Sequence, residues 1–312
     1  MPDASATFAS GHPVDLRLTL GMVAQGRFDP MLRIEGGGAW RASRTPDGPA
    51  TLRLRADAAG ARVRAEAWGP GAAWAVAQAP ELVGGGDVAD GFEALAGRHP
   101  LVAELHRRHH RLRLPRTRRV FEAMVVTICA QKVTGIEAKR SYRGIVRTWG
   151  EAAPVAEGVP GAPRLHLLPE PAVLARQPSW AFHPLGLERK RAEALLRMAA
   201  AAGRLEAAAD LVDRVAARRL LRAVPGIGVW TSAEVALVAL GDADAVSVGD
   251  YHLPNVASWH LAGEPRGTDE RMLELLEPFR PHRGRVLRLL QIGAGGAPRY
   301  GPRVAPAGFE ER

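Results

Sequence analysis

The spacing of apolar residues divides the chain in two. Between residues 14 and 68 apolar and polar positions alternate with a period of two, the pattern of strands with one buried face. "VDLRLTL" (14–20) places Val14, Leu16, Leu18 and Leu20 on one side. "TLRLRA" (51–56) and "ARVRAEAW" (61–68) alternate in the same way and are joined by a hairpin turn at Asp57-Ala58-Ala59-Gly60. "EGGGAW" and "RTPDGPA" supply further turns. "GAAWAVAQAPEL" (71–82) has the composition of a helix. These segments predict a small, half-buried sheet with one or two helices.

From about Leu101 the period lengthens to that of helices. "RRVFEAMVVTICAQ" (118–131) carries an apolar face of Val120, Phe121, Met124, Val125 and Ile128. "LERKRAEALLRMAAAAG" (187–203) is amphipathic and ends in glycine; 211–224, 231–241 and 269–279 follow as helices. No convincing strand occurs in this half. The proline-rich stretch 154–171 is expected to be a loop. The whole pattern predicts an α+β fold: a small mixed α/β domain over 1–105, an all-helical domain over 106–295, and a partly disordered Gly/Pro-rich tail over 296–312.

Composition narrows the function classes. Hydrophobic residues make up 46% of the 312, and no apolar run approaches the length needed to span a bilayer. The opening "MPDASATFASGHPVD" has no basic start followed by an apolar block, so no secretory signal is expected. A single cysteine, Cys129, cannot form an internal disulfide or hold an iron–sulfur cluster, which fits a reducing cytoplasm. The net charge of +9 favours a polyanionic partner. Only three of the 42 basic residues are lysines (Lys132, Lys139, Lys190), and such an arginine bias is equally what a GC-rich genome would produce. No Walker motif, dinucleotide fingerprint, zinc spacing or fixed-period repeat is present, and "GGG" at 36–38 and 84–86 are turns. His106, His109 and His110 have no further metal ligand nearby in sequence, so no metal site is expected.

One short interruption of helical sequence stands out. "RAVPGIGVW" (222–230) sets Pro-Gly-Ile-Gly between two amphipathic helices. Glycines there permit positive φ and close approach of another backbone. The amides of Gly226, Ile227 and Gly228 can then face outward at a helix start, where free N–H groups bind phosphate without reading sequence. A tight helix–helix turn is the plain alternative. Asp250, in "VSVGDYHL", lies one helix further on. Taken alone it is an N-cap aspartate for the helix that follows, worth about 1 kcal/mol.

Together the two stretches resemble the helix-hairpin-helix DNA glycosylase superfamily, in which a hairpin grips the DNA backbone and an aspartate follows one helix later. "FEAMVVTICAQKVTGIEAK" resembles the helix before the hairpin in bacterial two-domain 3-methyladenine DNA glycosylases, "LGLERKRAEALLRMAAA" their next helix, and "LTLGMVAQGRFDP" the start of their small N-terminal domain. The similarity covers most of 14–293. It implies a helix-hairpin-helix glycosylase domain after the small one, and a monofunctional enzyme that excises damaged bases, most of all alkylated purines, from duplex DNA. Asp250 is then the catalytic carboxylate, facing the positive charge that develops on the sugar. Trp230, Glu234, Trp180 and Met22 are the candidates for the pocket of the flipped base, with Phe182 beside them. Gln131, Lys132, Gly226, Ile227, Gly228 and Thr231 are the DNA-binding candidates, with Lys132 at the wedge. The run "HRRHHRLRLPRTRR" (106–119) is either a phosphate contact or a solvated linker.

Bifunctional relatives place a lysine nucleophile where Trp230 stands here, and no lysine occurs from 191 to 312. No lyase step, organic cofactor or catalytic metal is therefore implied; the resemblance does imply a monovalent cation on the hairpin carbonyls. The partner is damaged double-stranded DNA, bound by a monomer with no membrane association. Three positions depart from the family pattern: Lys132 at the wedge, Glu234 where an aromatic is common, and Gly293 where a pocket tryptophan often stands. Two alternatives remain at this point: a non-catalytic helix-hairpin-helix DNA-binding protein, and a glycosylase for deaminated or oxidised bases.

Overall fold

The computed structural model describes residues 1–156 and 158–298. Strands β1 (Ala4–Ala9), β2 (Leu32–Glu35), β3 (Gly38–Thr45), β4 (Gly48–Ala56) and β5 (Arg62–Trp68) form one antiparallel sheet in the order β1-β5-β4-β3-β2. Helix α1 (Leu16–Leu20) lies between β1 and β2, and α2 (Ala72–Leu82) follows β5. Next come α3 (Phe92–Ala96), α4 (Pro100–Arg108), α5 (Val120–Cys129) and α6 (Gly135–Trp149). Then follow α7 (Pro171–Ala175), α8 (Arg189–Ala200), α9 (Ala202–Glu206), α10 (Arg214–Leu221) and α11 (Val229–Ala239). Helices α12 (Leu253–Ala262), α13 (Asp269–Leu276) and α14 (Arg283–Leu289) complete the described chain. The tail expected to be disordered falls, from residue 299 on, outside the described residues.

The alternating segments at 51–56 and 61–68 are β4 and β5, and the turn between them closes as expected. Gly60 sits at φ +73, and a Cβ there would stand 2.5 Å from the Val14 carbonyl oxygen, so only glycine fits. The sheet is buried on one face and, on the other, covered at one end only, with Arg55 and Arg64 left exposed. Leu52, Leu54, Val63 and Ala65 pack one face against α1 and α2. Trp40 and Trp68, stacked at 5.7 Å, pack the other face against the proline-rich segment, where Leu165 and Leu167 are buried. Thr51 Oγ1 anchors that segment by donating to the Pro154 carbonyl at 2.6 Å. The segment also supplies one strand of a pair the sequence did not show, β7 (His166–Leu167), which pairs with β6 (Glu151–Ala152) just before the segment.

Residues 14–20 correct the strand expectation: Leu16–Leu20 form α1, with Asp15 at its N-cap. Asp15 accepts hydrogen bonds from the amides of Arg17 (2.9 Å) and Leu18 (3.0 Å), an N-cap that starts a helix. Leu16, Thr19 and Leu20 are its buried positions, at spacings of three and four. Leu16 and Leu20 pack under the sheet, whereas Leu18 packs on the cluster formed by α3, α4, α12, α13 and α14. Alternation therefore came from serving two cores, not from a pleat.

Helix α5 runs through the centre of the helical layer and is buried on nearly every side, as its all-round apolar sequence requires. The Glu206 carboxylate caps its start, accepting from the amides of Val120 (2.9 Å) and Phe121 (3.0 Å). Burial raises the Glu206 pKa from its ordinary value, opposed by Arg119 and by these amides. At the other end Arg191, 4% exposed, donates to the Cys129 carbonyl at 2.9 Å. In the first turn, Glu122 accepts from Arg41 (2.7 Å) and Ser43 (2.7 Å) of β3, which ties the helix to the sheet.

Much of the basic run is structural. The amides of Thr117 and Arg118 donate to the carbonyls of Val238 and Ala239 at the end of α11, each at 3.0 Å. Arg116 pairs with Glu81 of α2, Arg118 with Glu81 and Asp210, and Arg119 with Glu206. This half of the run is an ion-paired strap, neither a solvated linker nor a free basic surface.

Candidate active site at the hairpin

Helix α10 ends at Leu221, the chain turns through Pro225-Gly226-Ile227-Gly228, and α11 starts at Val229. Val224 and Ile227 are buried and anchor the turn in the core around α5. Gly226 takes φ +98, and a Cβ on it would meet the Ala194 Cβ of α8 at 2.7 Å. Its glycine is required by backbone and by space. Gly228 is different, at φ −90, with nothing within 4 Å of a Cβ. The fold does not need glycine there; what its absent side chain leaves open is the approach to the start of α11.

No side chain caps that start. Among the described residues the amides of Gly226, Gly228, Val229, Trp230 and Thr231 have no acceptor, and the first bond into the helix is from the Ser232 amide to the Gly228 carbonyl. The Ile227 amide does have one, the Val224 carbonyl at 3.0 Å, so it is not among the outward donors. Gln131, just past α5, braces the hairpin from behind: its Nε2 donates to the Gly226 carbonyl (3.1 Å) and to Thr231 Oγ1 (2.8 Å). Thr231 is 2% exposed, so its side chain faces Gln131 and not the surface. Ile227, at 5%, is likewise buried. Lys132 is exposed and holds φ +55, an uncommon conformation for a residue with a side chain, which turns the chain sharply toward α6.

The implied cation fits two of the hairpin carbonyls poorly. The Arg197 guanidinium already donates to the Pro225 carbonyl at 3.1 Å, where it would repel a cation, and Gln131 holds the Gly226 carbonyl.

Asp250 lies beside this helix start. Its Oδ2 accepts from Trp230 Nε1 at 2.9 Å, and its Oδ1 accepts from the amides of His252 (2.7 Å) and Leu253 (2.9 Å). The aspartate thus closes the turn that leads into α12, whose N-cap position is His252 and not Asp250, and is also fixed to the hairpin helix by the indole. A carboxylate offers about four lone-pair positions, so three donors leave room for one more. Gly249, at φ +90, donates its amide to both Asp269 oxygens, at 3.1 and 3.0 Å, which holds the loop from the α13 side.

Glu234 stands one turn beyond Trp230, on the same face of α11. Its Oε1 accepts from Ser247 Oγ and from the Arg288 guanidinium of α14, the latter at 2.7 Å. It is neither a solvated helix residue nor an uncompensated carboxylate. Arg288 also donates to Gln291 Oε1 at 2.7 Å. Met22 is half-buried and packs, with Leu18 and Val248, on the cluster beneath the 246–253 loop. Trp180 is 74% exposed and makes no ring or hydrogen-bond contact with Trp230 or Asp250 among the described residues. Phe182, by contrast, is a core residue, 4.7 Å from the Trp149 ring. Gly293 stands against Leu105 and His109, whose atoms a Cβ would meet at 2.5 and 2.8 Å.

Arg197, Ser247, Asp269 and Arg288 join the site without having been singled out in the sequence. Arg197 lies on a helix that was read, but nothing in its spacing pointed to a carbonyl on another element. Arg288 lies on α14, which no periodic pattern announced. Cys129 offers no alternative nucleophile: burial pushes its thiol up to about 12, where it stays protonated at neutral pH. A cleft of about 130 Å³ lies elsewhere, between Arg44, Arg119, Glu122 and Glu206, and shares no residue with the hairpin site.

No protein-family model and no curated protein matches the chain. Solved structures do. A 3-methyladenine DNA-glycosylase from Archaeoglobus fulgidus superposes with a TM-score of 0.77 at 17% identity, covering 92% of this chain and 97% of that one. The Clostridium acetobutylicum 8-oxoguanine glycosylase/lyase, in complex with double-stranded DNA containing cytosine opposite 8-oxoG, gives 0.69 at 12% identity, covering 94% and 99%. A DNA-3-methyladenine glycosidase from Bacillus halodurans gives 0.50 at 22%, covering 67% and 90%. The chain has the fold of the helix-hairpin-helix DNA glycosylases. Within that fold the likeness extends both to alkylated-base enzymes and to a glycosylase/lyase, so overall shape does not separate their chemistries.

Proposed function

We propose that the chain is a monofunctional DNA glycosylase of base-excision repair, which hydrolyses the N-glycosidic bond of a damaged base in duplex DNA. The observation that carries this reading is the Trp230–Asp250 bond, which joins a carboxylate to a helix start whose amides, from Gly228 to Thr231, are unpaired. Those amides suit a phosphate of the DNA backbone. A sugar held one nucleotide away would then face Asp250. As the bond to the base breaks, positive charge grows on the sugar, and the fixed carboxylate stabilises it without reorganising. The remaining lone-pair position on Asp250 can orient and deprotonate the attacking water. Trp230, next to the carboxylate, offers an aromatic face to the flipped base. The absence of lysine from 191 to 312 favours water as the nucleophile over a Schiff base.

Alkylated purines are the substrate class that the sequence resemblance implies. The Glu234–Arg288 pair favours a second class, neutral deaminated or oxidised bases, because the guanidinium neutralises the carboxylate that would attract a cationic base and can itself donate to carbonyl groups. The reading includes a monomer acting on nucleoid DNA in the cytoplasm, with the small sheet domain preceding the helical one. It is tested with duplexes that each carry one lesion, by chromatography of released free base and by alkali treatment for strand cleavage. Free base with an alkali-labile but intact strand is expected. A strand cut without alkali would overturn monofunctionality, and no release from any duplex would leave a DNA-binding protein without turnover.

A further inference from the structure

The positive charge of the molecule has a second seat. The second half of the 106–119 run is spent on carboxylates of α2 and α9 and on Asp210. Helix α6 is different. Lys139, Arg143 and Arg147 recur every four residues, so they form one column along its face. None of the three has an ion-pair partner among the described residues; Arg143 donates only to the Lys139 carbonyl, at 3.0 Å. Like charges at this spacing weaken a helix. At the near end of the column stands Lys132, directly after the glutamine that braces the hairpin. Beside it the loop between α1 and β2 presents Phe28, 62% exposed, with the Arg27 guanidinium 5.5 Å and the Arg143 guanidinium 5.9 Å from its ring. The same loop meets the column at Gly26, where a Cβ would lie 3.5 Å from Lys139 Nζ.

We propose that this face of α6, with Arg27 and Phe28, is a second DNA-backbone surface, continuous with the Lys132 turn. It rests on the proposed binding of duplex DNA but not on catalysis. Lys139 to Arg147 spans roughly 12 Å of helix, the axial length over which one DNA strand presents about three or four phosphates. A polyanion along the column removes the repulsion that the free protein bears. The exposed Phe28 ring supplies an apolar contact for a sugar or an unstacked base edge. The hairpin holds one stretch of backbone through amides, whose contact is weakly salt-dependent. The column holds another through charge and accounts for most of the salt dependence.

The test is a salt titration of affinity, by fluorescence anisotropy, for undamaged and lesion-bearing duplexes, with wild type, K139A/R147A and the control R116A. The double variant should bind at least tenfold more weakly at low salt. Its plot of log K against log salt should be shallower by one to two, about one for each lost phosphate contact. Single-turnover excision at saturating enzyme should be unchanged, and the melting temperature without DNA should hold or rise. Unchanged affinity and slope would overturn the proposal, as would a lowered melting temperature with normal affinity. Loss of slope in a protein that excises nothing would support this surface and reject the glycosylase reading.

Discussion

At Asp250 one carboxylate serves the fold and the chemistry at once. Oδ1 closes the turn that leads into α12, and Oδ2 is aimed by the Trp230 indole. Trp230→Phe separates these roles. It keeps an aromatic face for the base and leaves the turn intact, but removes the donor that fixes Oδ2. A hydrogen bond to a charged group is worth ~1.5–3 kcal/mol, so excision should slow by at least about tenfold while DNA affinity stays within about twofold. Single-turnover rates of the two proteins on one lesion duplex provide the comparison. A wild-type rate would show that the indole merely packs. Trp230 and Asp250 were legible in the sequence because each sits at a fixed step from the Pro-Gly-Ile-Gly turn. Their hydrogen bond was not, because it depends on how α11 and the 246–253 loop dock. Trp180 shows the converse: an aromatic in apolar company, "SWAFHPLG", whose neighbour Phe182 took the core position and left it 74% exposed.

At the scale of the element, the two hairpin glycines should behave differently. Gly226→Ala forces a side chain into φ +98 and against Ala194, strain of about 1–3 kcal/mol that should lower the melting temperature by several degrees. The Cβ of Gly228→Val meets no atom within 4 Å and the φ is ordinary, so the fold should melt normally. Its branched side chain shades the open amides of α11, and binding to damaged and undamaged duplexes should weaken by similar factors. A loss confined to damaged DNA would place the hairpin in lesion recognition instead. The hairpin was readable because its function resides in backbone, and glycine and proline mark backbone directly. Other elements were masked. Residues 14–20 alternate like a strand because α1 feeds two cores. β1 was missed because this edge strand exposes most of its residues and carries no period. α6 was missed although Thr134 and Glu137 form a full capping box. Its outer face is so basic that the apolar positions Tyr142, Ile145 and Val146 did not stand out.

Over the whole molecule, stability should depend on pH through buried histidines. His282 and His106 both contact the Phe92 ring, and their pKa values are lowered from 6.5, first by burial and then by the charge of Arg285. The unfolded chain therefore binds protons before the folded one does. Stability is fully present above about pH 6.5 and is lost as pH falls from there through the lower folded values. Thermal melts across this range should show the decline, and His282→Gln should flatten it. A melting temperature that rises on mild acidification would contradict the assignment. Phe92 lies in one cluster with Leu253 and Leu287, so this loss also loosens the layer beneath the Asp250 loop. That layer, the strap to α2 and the central α5 hold the hairpin and the carboxylate in one rigid relation. The central claim is that this relation exists to break a glycosidic bond. It is tested most directly by single-turnover excision with wild type and Asp250→Asn on the best lesion duplex, with gel-shift affinity and a thermal melt beside it. Asparagine keeps an oxygen for the turn into α12 but removes the negative charge. Excision should fall by about 100-fold or more, equivalent to ~3 kcal/mol, with folding retained and affinity equal or slightly higher. Near-wild-type excision by a folded Asp250→Asn protein would reduce Asp250 to a residue of the turn into α12 and contradict the mechanism.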